Sequence, residues 1–108
     1  MPNVTIFIPA DRMPPDEALA DLTEQCTQLC TNILHAALAN VHVIYVAVRH
    51  GRGHPVFVDI QYRLEPFRTP PVMDRFMEGL DDAIRNTTAF TARIRCFGHA
   101  ASNIHARN

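Results

Sequence analysis

The sequence predicts an α+β domain in which two βαβ units build one four-stranded sheet with two helices on the same face. Three observations carry that expectation. Short apolar or alternating runs bracket each half of the chain, one long amphipathic stripe lies inside each half, and RMPP at Arg12–Pro15 returns as RTPP at Arg68–Pro71. The echo falls at the same strand-to-helix junction in both halves. The expected repeat therefore runs over residues 2–49 and 55–99 of a single domain covering 1–108. The strand starts are also alike, PNV at Pro2 and PVF at Pro55, but they are closer in sequence than the two tetrapeptides, which makes the second strand-to-helix loop three residues longer.

The first strand is expected over Val4–Ile8, apolar on both faces and so interior to the sheet. Pro14 and Pro15 with Asp16 and Glu17 then open a helix, because proline is tolerated in the first turn and acids suit its positive end. Its buried stripe is Leu19, Leu22, Cys26, Leu29, Cys30, Ile33 and Leu34, recurring at three and four residues. Val41–Val48, rich in β-branched residues, is the second strand. In Val56–Arg63 strict alternation puts Val56, Val58, Ile60 and Tyr62 on one face, with Phe57, Asp59, Gln61 and Arg63 on the other. A second helix is expected from about Pro71 to Arg85, with a stripe of Val72, Met73, Phe76, Met77, Leu80 and Ile84. Thr91–Phe97 is the last strand, Ala92, Ile94 and Cys96 opposing Arg93, Arg95 and Phe97. Right-handed crossovers place both helices on one face of the sheet. The other face keeps apolar residues that need cover, which predicts symmetric subunits that supply the missing layer.

Composition narrows the function classes. The 108 residues are 47% hydrophobic with a net charge of −1, which argues against a nucleic-acid partner. No apolar run reaches the ~18 residues of a membrane span. The start lacks the charged segment and apolar core of a secretion signal. Three cysteines do not make an even disulfide framework, and a reducing, cytoplasmic compartment is expected. Cys26 and Cys30 share the helix stripe and read as core. His50 and His54, in HGRGH, lack the helical spacing of a metal pair and a third ligand, so that segment reads as a loop or pocket lid, with no metal and no cofactor expected.

One feature concentrates the chemistry. All ten basic residues are arginines and there is no lysine, so the N-terminus is the only aliphatic amine. Proline at position 2 permits trimming of Met1, which leaves Pro2 as a secondary amine. A terminal amine has a reference pKa of about 7.7–8.0, and burial or a nearby cation lowers it. One arginine at about 6 Å, at an effective dielectric of about 20, contributes roughly 2.8 kcal/mol, or about two pKa units. A neutral Pro2 would then serve as a general base, while arginines hold a carboxylate and stabilise enolate charge. Arg12 and Arg68 are candidates for that role, with pairing to Asp11 or Glu65 as the alternative. His42 lies in an apolar strand, as either a core histidine or a pocket donor. Arg63 has a structural ion pair available with Asp59, which makes Arg68 the stronger substrate ligand of the two. Arg93 and Arg95 fit inter-subunit salt bridges or ligand contacts from a neighbouring subunit equally well.

The residues quoted carry a resemblance to the tautomerase superfamily over essentially the whole chain. PNVTIFIPADR resembles the opening of 4-oxalocrotonate tautomerase, with Pro2 on the catalytic proline and Arg12 on a substrate-binding arginine. NVHVIYVAV is similar to its second strand, but His42 stands where that family keeps an arginine. VFVDIQYRLEPFRT and IHARN resemble 5-carboxymethyl-2-hydroxymuconate isomerase, with Arg68 on the loop arginine, and FGHAASNIHA is similar to the tail of macrophage migration inhibitory factor. The resemblance implies a trimeric tautomerase or isomerase of aromatic catabolism, acting through Pro2 on a small 2-oxo or 2-hydroxy unsaturated acid. It also admits a dehalogenase or decarboxylase in which a protonated Pro2 is the acid. A non-catalytic binding trimer is the alternative from outside enzymology.

Overall fold

The computed structural model describes residues 2–108. Six elements follow in the order β1 (Pro2–Pro9), α1 (Asp16–Asn32), β2 (His42–Val48), β3 (Val56–Arg63), α2 (Pro70–Thr88) and β4 (Ala92–His99). They form the four-stranded sheet expected, in the order β2-β1-β3-β4. β1 and β2 are parallel, as are β3 and β4, while β1 and β3 meet antiparallel at the centre. The two βαβ units therefore join head to tail, with Phe7 opposite Phe57. β1 starts two residues earlier than its apolar run because Pro2 has a register partner, Tyr62.

Alternation decides which face is buried. Val4, Ile6 and Ile8 of β1 and Val56, Val58 and Ile60 of β3 are fully buried, or nearly so, beneath the helices. Onto them pack Leu22, Cys26 and Cys30 of α1 and Phe76, Leu80 and Ile84 of α2, the stripes read from the periodicity. Each such side chain contributes about 1.5–3 kcal/mol on leaving water. The helices approach closely at Gly79, where a Cβ would come within 2.7 Å of Leu29 Cδ2. Tyr45 ties β2 to α1, its hydroxyl donating to the Leu19 carbonyl at 3.1 Å and lying 2.8 Å from the Thr23 hydroxyl.

A left-handed residue that is not glycine follows each helix. His35 has φ 52°, and the Ala36 N–H reaches back to the Cys30 carbonyl at 3.1 Å, closing the end of α1. Ala89 has φ 63°, and its N–H bonds the Arg85 carbonyl, which carries α2 three residues past the expected stop at Arg85. Among the described residues no helix is long and apolar enough to cross a membrane.

The face opposite the helices is graded from end to end. His42, Asn3, Gln61 and Phe97 form one row across the strands, Ile44, Thr5, Asp59 and Arg95 the next, and Val46, Phe7, Phe57 and Arg93 the third. Amides and histidine thus occupy the Pro2 end, while the far end is apolar beneath an arginine.

Candidate active site

Pro2 is fully buried at the start of a central strand. On one side Asn3 pairs with His42, and on the other Pro2 itself pairs with Tyr62. Tyr62 lies flat over Gly98, where a Cβ would meet its ring and hydroxyl at 2.9 Å, so the absence of a side chain at position 98 makes room for the phenol. Burial pushes the Tyr62 hydroxyl pKa up, while the charge of Arg68 opposes that shift. The Arg68 cation therefore acts on the direct strand partner of Pro2.

Arg68 is buried, with 8% of its surface exposed. Its Nε donates to the Leu34 carbonyl at 3.0 Å and an Nη to the Arg63 carbonyl at 2.7 Å, and its guanidinium stacks 5.3 Å from the Phe67 ring centre. It therefore knits the end of α1 to the end of β3, where a cation also suits the negative pole of α1. The left-handed turn at His35 follows directly after that Leu34 carbonyl, and the His35 ring meets Phe67 edge-on at 5.7 Å.

Arg63 differs from its expected place. No ion pair with Asp59 forms, because Asp59 accepts the Gln61 amide at 2.8 Å, and Gln61 in turn bonds His99. The buried Nε of Arg63 has no hydrogen-bond partner among the described residues. This side chain stands between two clefts. One, of about 470 Å³, is lined by Asn3, His42, Arg63, His105 and Arg107; the other, of about 220 Å³, by His35, Glu65, Phe67 and Arg68, and both share Asn40 and Arg63. Arg63 thus lines both clefts, the first of them shared with Asn3, the residue that follows Pro2, and a guanidinium there is suited to a carboxylate. Reading the sequence alone missed Arg63, because its value follows from the antiparallel β1–β3 pairing, which brings the end of β3 to the start of β1.

No family model matches this sequence, and no curated protein matches it either. Solved structures do match. A macrophage migration inhibitory factor-like protein from Entamoeba histolytica superposes with a TM-score of 0.78 at 11% identity, covering 98% of this chain and 95% of that one. A wild-type fused 4-OT, a symmetric trimer, gives 0.80 at 14% identity, covering 96% and 92%. N1, a member of the cis-3-chloroacrylic acid dehalogenase family, gives 0.81 at 15% identity, covering 96% and 79%. The chain has the tautomerase-superfamily fold.

Within this fold, five of the six residues singled out from sequence divide between two ends of the sheet, and the sixth lies between them. Pro2, His42 and Arg68 gather at one end, and His42 is exposed on the open face, which removes the core-histidine reading. Arg12 follows β1 and so lies at the other end, 3.9 Å from Asp11 and stacked 5.2 Å from the Phe90 ring centre. Arg93 flanks Phe57 at that same far end. Arg95 sits mid-face beside Asp59 in register, with its Nη1 on the Ile94 carbonyl at 2.8 Å.

Proposed function

We propose that this protein is a tautomerase or isomerase in which Pro2, freed of Met1, is the general base toward a small 2-oxo or 2-hydroxy unsaturated acid. The observation that carries the reading is the burial of Pro2 at an end of the sheet served by two arginines, one of them with an unpartnered buried nitrogen. Burial and the Arg68 cation both disfavour the protonated amine, so Pro2 is a neutral base near pH 7. Its nitrogen takes the proton of the 2-hydroxyl, or of the carbon beside the ketone, and the ammonium formed returns a proton to the other end of the conjugated system. Arg63 and His42 hold the carboxylate, and Arg68 adds the field that favours the transient enolate.

The functional unit is a homotrimer, in keeping with the uncovered apolar residues of the open sheet face and with the symmetric-trimer fused 4-OT that shares the fold. In that assembly Arg12 and Arg95 reach the site of a neighbouring subunit, while Arg93 stays with the far-end cleft.

A second reading has one observation in its favour. Glu65 lines the small cleft with Arg63 and Arg68, and a carboxylate there supplies what hydrolytic dehalogenation needs to activate water, with Pro2 protonated as the acid. Ultraviolet assays with phenylenolpyruvate, 2-hydroxymuconate and a 3-haloacrylate separate the two. Turnover of either enol acid supports the isomerase, and halide release alone supports the hydrolytic reading. No turnover of any of the three leaves the binding trimer as the better description.

A further inference from the structure

A sizeable cleft lies at the opposite end of the sheet from Pro2. It measures about 580 Å³, and Arg49, Arg52 and Arg93 line it with His50 and His54, while no acidic side chain contributes. Phe7 and Phe57 also line it, their rings stacked at 5.8 Å and 27°. From Pro2 to Phe7 the strand runs roughly 16 Å at about 3.3 Å per residue, so this cleft is separate from the Pro2 site in the same chain.

The sheet register explains why a cleft recurs here. Asn3 of β1 stands beside His42 of β2, and Phe57 of β3 stands beside Arg93 of β4 in the same parallel relation. Because β1 and β3 are antiparallel, the head-to-tail junction makes two like-built corners, one at each end of the sheet. At the first corner the chain begins with Pro2. At the second, Pro55 is held within the chain by the segment from Arg49 to His54, so its nitrogen is an amide and not a base. What that corner has instead is two phenyl rings, three guanidinium forks and a volume in the range of small-ligand sites.

We propose that this corner is a second, non-catalytic binding site for an aromatic carboxylate. The carboxylate takes the forks of Arg49 and Arg52, with Arg93 alongside, and the ring packs on the Phe7–Phe57 stack. The proposal is independent of base catalysis by Pro2, since it uses none of the residues at that end.

Calorimetric titration of the whole protein in its native assembly with trans-cinnamate tests it. We expect saturable binding that weakens at least tenfold, about 1.4 kcal/mol, in Arg49→Ala/Arg52→Ala and that persists in Arg63→Ala. Methyl trans-cinnamate, which keeps the ring and loses the charge, is expected to bind at least tenfold more weakly than the acid. Four results would overturn the site: no binding of cinnamate at millimolar concentration, affinity unchanged in the double variant, an ester that binds as well as the acid, or binding lost in Arg63→Ala alone. The last would assign cinnamate to the Pro2 end and leave the catalytic reading intact.

Discussion

Two arginines five residues apart have opposite fates in this molecule, and the difference is hydrogen bonding. Arg68 has its Nε and one Nη on main-chain carbonyls and is almost out of water, so its first task is to hold the α1 and β3 ends together. Arg63 lines two clefts and keeps a buried Nε without a partner among the described residues. Replacing Arg68 by alanine leaves two carbonyls short of a donor, and we expect a loss of about 1–3 kcal/mol in denaturant unfolding. Arg63→Ala is expected to leave the unfolding midpoint nearly unchanged while lowering kcat/KM at least tenfold. Steady-state kinetics beside urea melts on both variants check this, and an inert Arg63→Ala would return the substrate role to Arg68. Sequence alone pointed to Arg68 through the RMPP–RTPP echo, because a repeated motif is visible in letters. Hydrogen bonds to carbonyls 34 and 5 residues away are not.

At the scale of elements, most of the fold was legible. Strict alternation in Val56–Arg63 gave the strand bounds and its buried face, and the helix stripes named the residues that pack under the sheet. Periodicity says nothing about how two βαβ units dock, so the antiparallel β1–β3 junction could not be read, and with it went the knowledge that Arg63 and Pro2 lie at the same end. The joint between β2 and α1 makes a separate prediction. Tyr45 is a β-strand residue by propensity, yet its hydroxyl bonds to Leu19 and Thr23 on the helix. Tyr45→Phe is expected to destabilise the fold by about 1 kcal/mol at neutral pH. Burial also raises the Tyr45 phenol pKa above its ordinary value near 10. Its contribution is therefore fully present below that ordinary value and is lost as pH rises past it. Unfolding followed from pH 7 to 11 should show a smaller alkaline loss in Tyr45→Phe than in the parent protein, and equal losses would mean that Tyr45 does not report through its hydroxyl.

As a single chain the molecule leaves one face of its sheet open. One sheet face is sealed by helices, while the other shows Ile44 at 56% and Phe97 at 46% exposure among arginines. Apolar side chains mixed with Arg95 and Asp59 suit a face that meets a copy of itself, where burial and charge pairing both contribute. We expect light scattering on the eluting peak to give three times the 12.2 kDa of one chain. A stable monomer at micromolar concentration would mean that the open face is solvated in the working protein, and that any neighbour's arginine is absent from the Pro2 site. That one face is left bare was readable from sequence, since right-handed crossovers put both helices on the other side. The grading of that face, from amides at Pro2 to phenyl rings at the far end, required the register.

Everything proposed for the Pro2 end depends on the nitrogen of Pro2 being an amine. The most direct test is kcat/KM toward phenylenolpyruvate for protein whose intact mass shows it starting at Pro2, against the same protein with an uncleaved N-terminal extension that keeps this nitrogen in a peptide bond. The account predicts a loss of at least about a hundredfold on extension, the usual worth of a positioned general base. Equal rates from the two forms would contradict it.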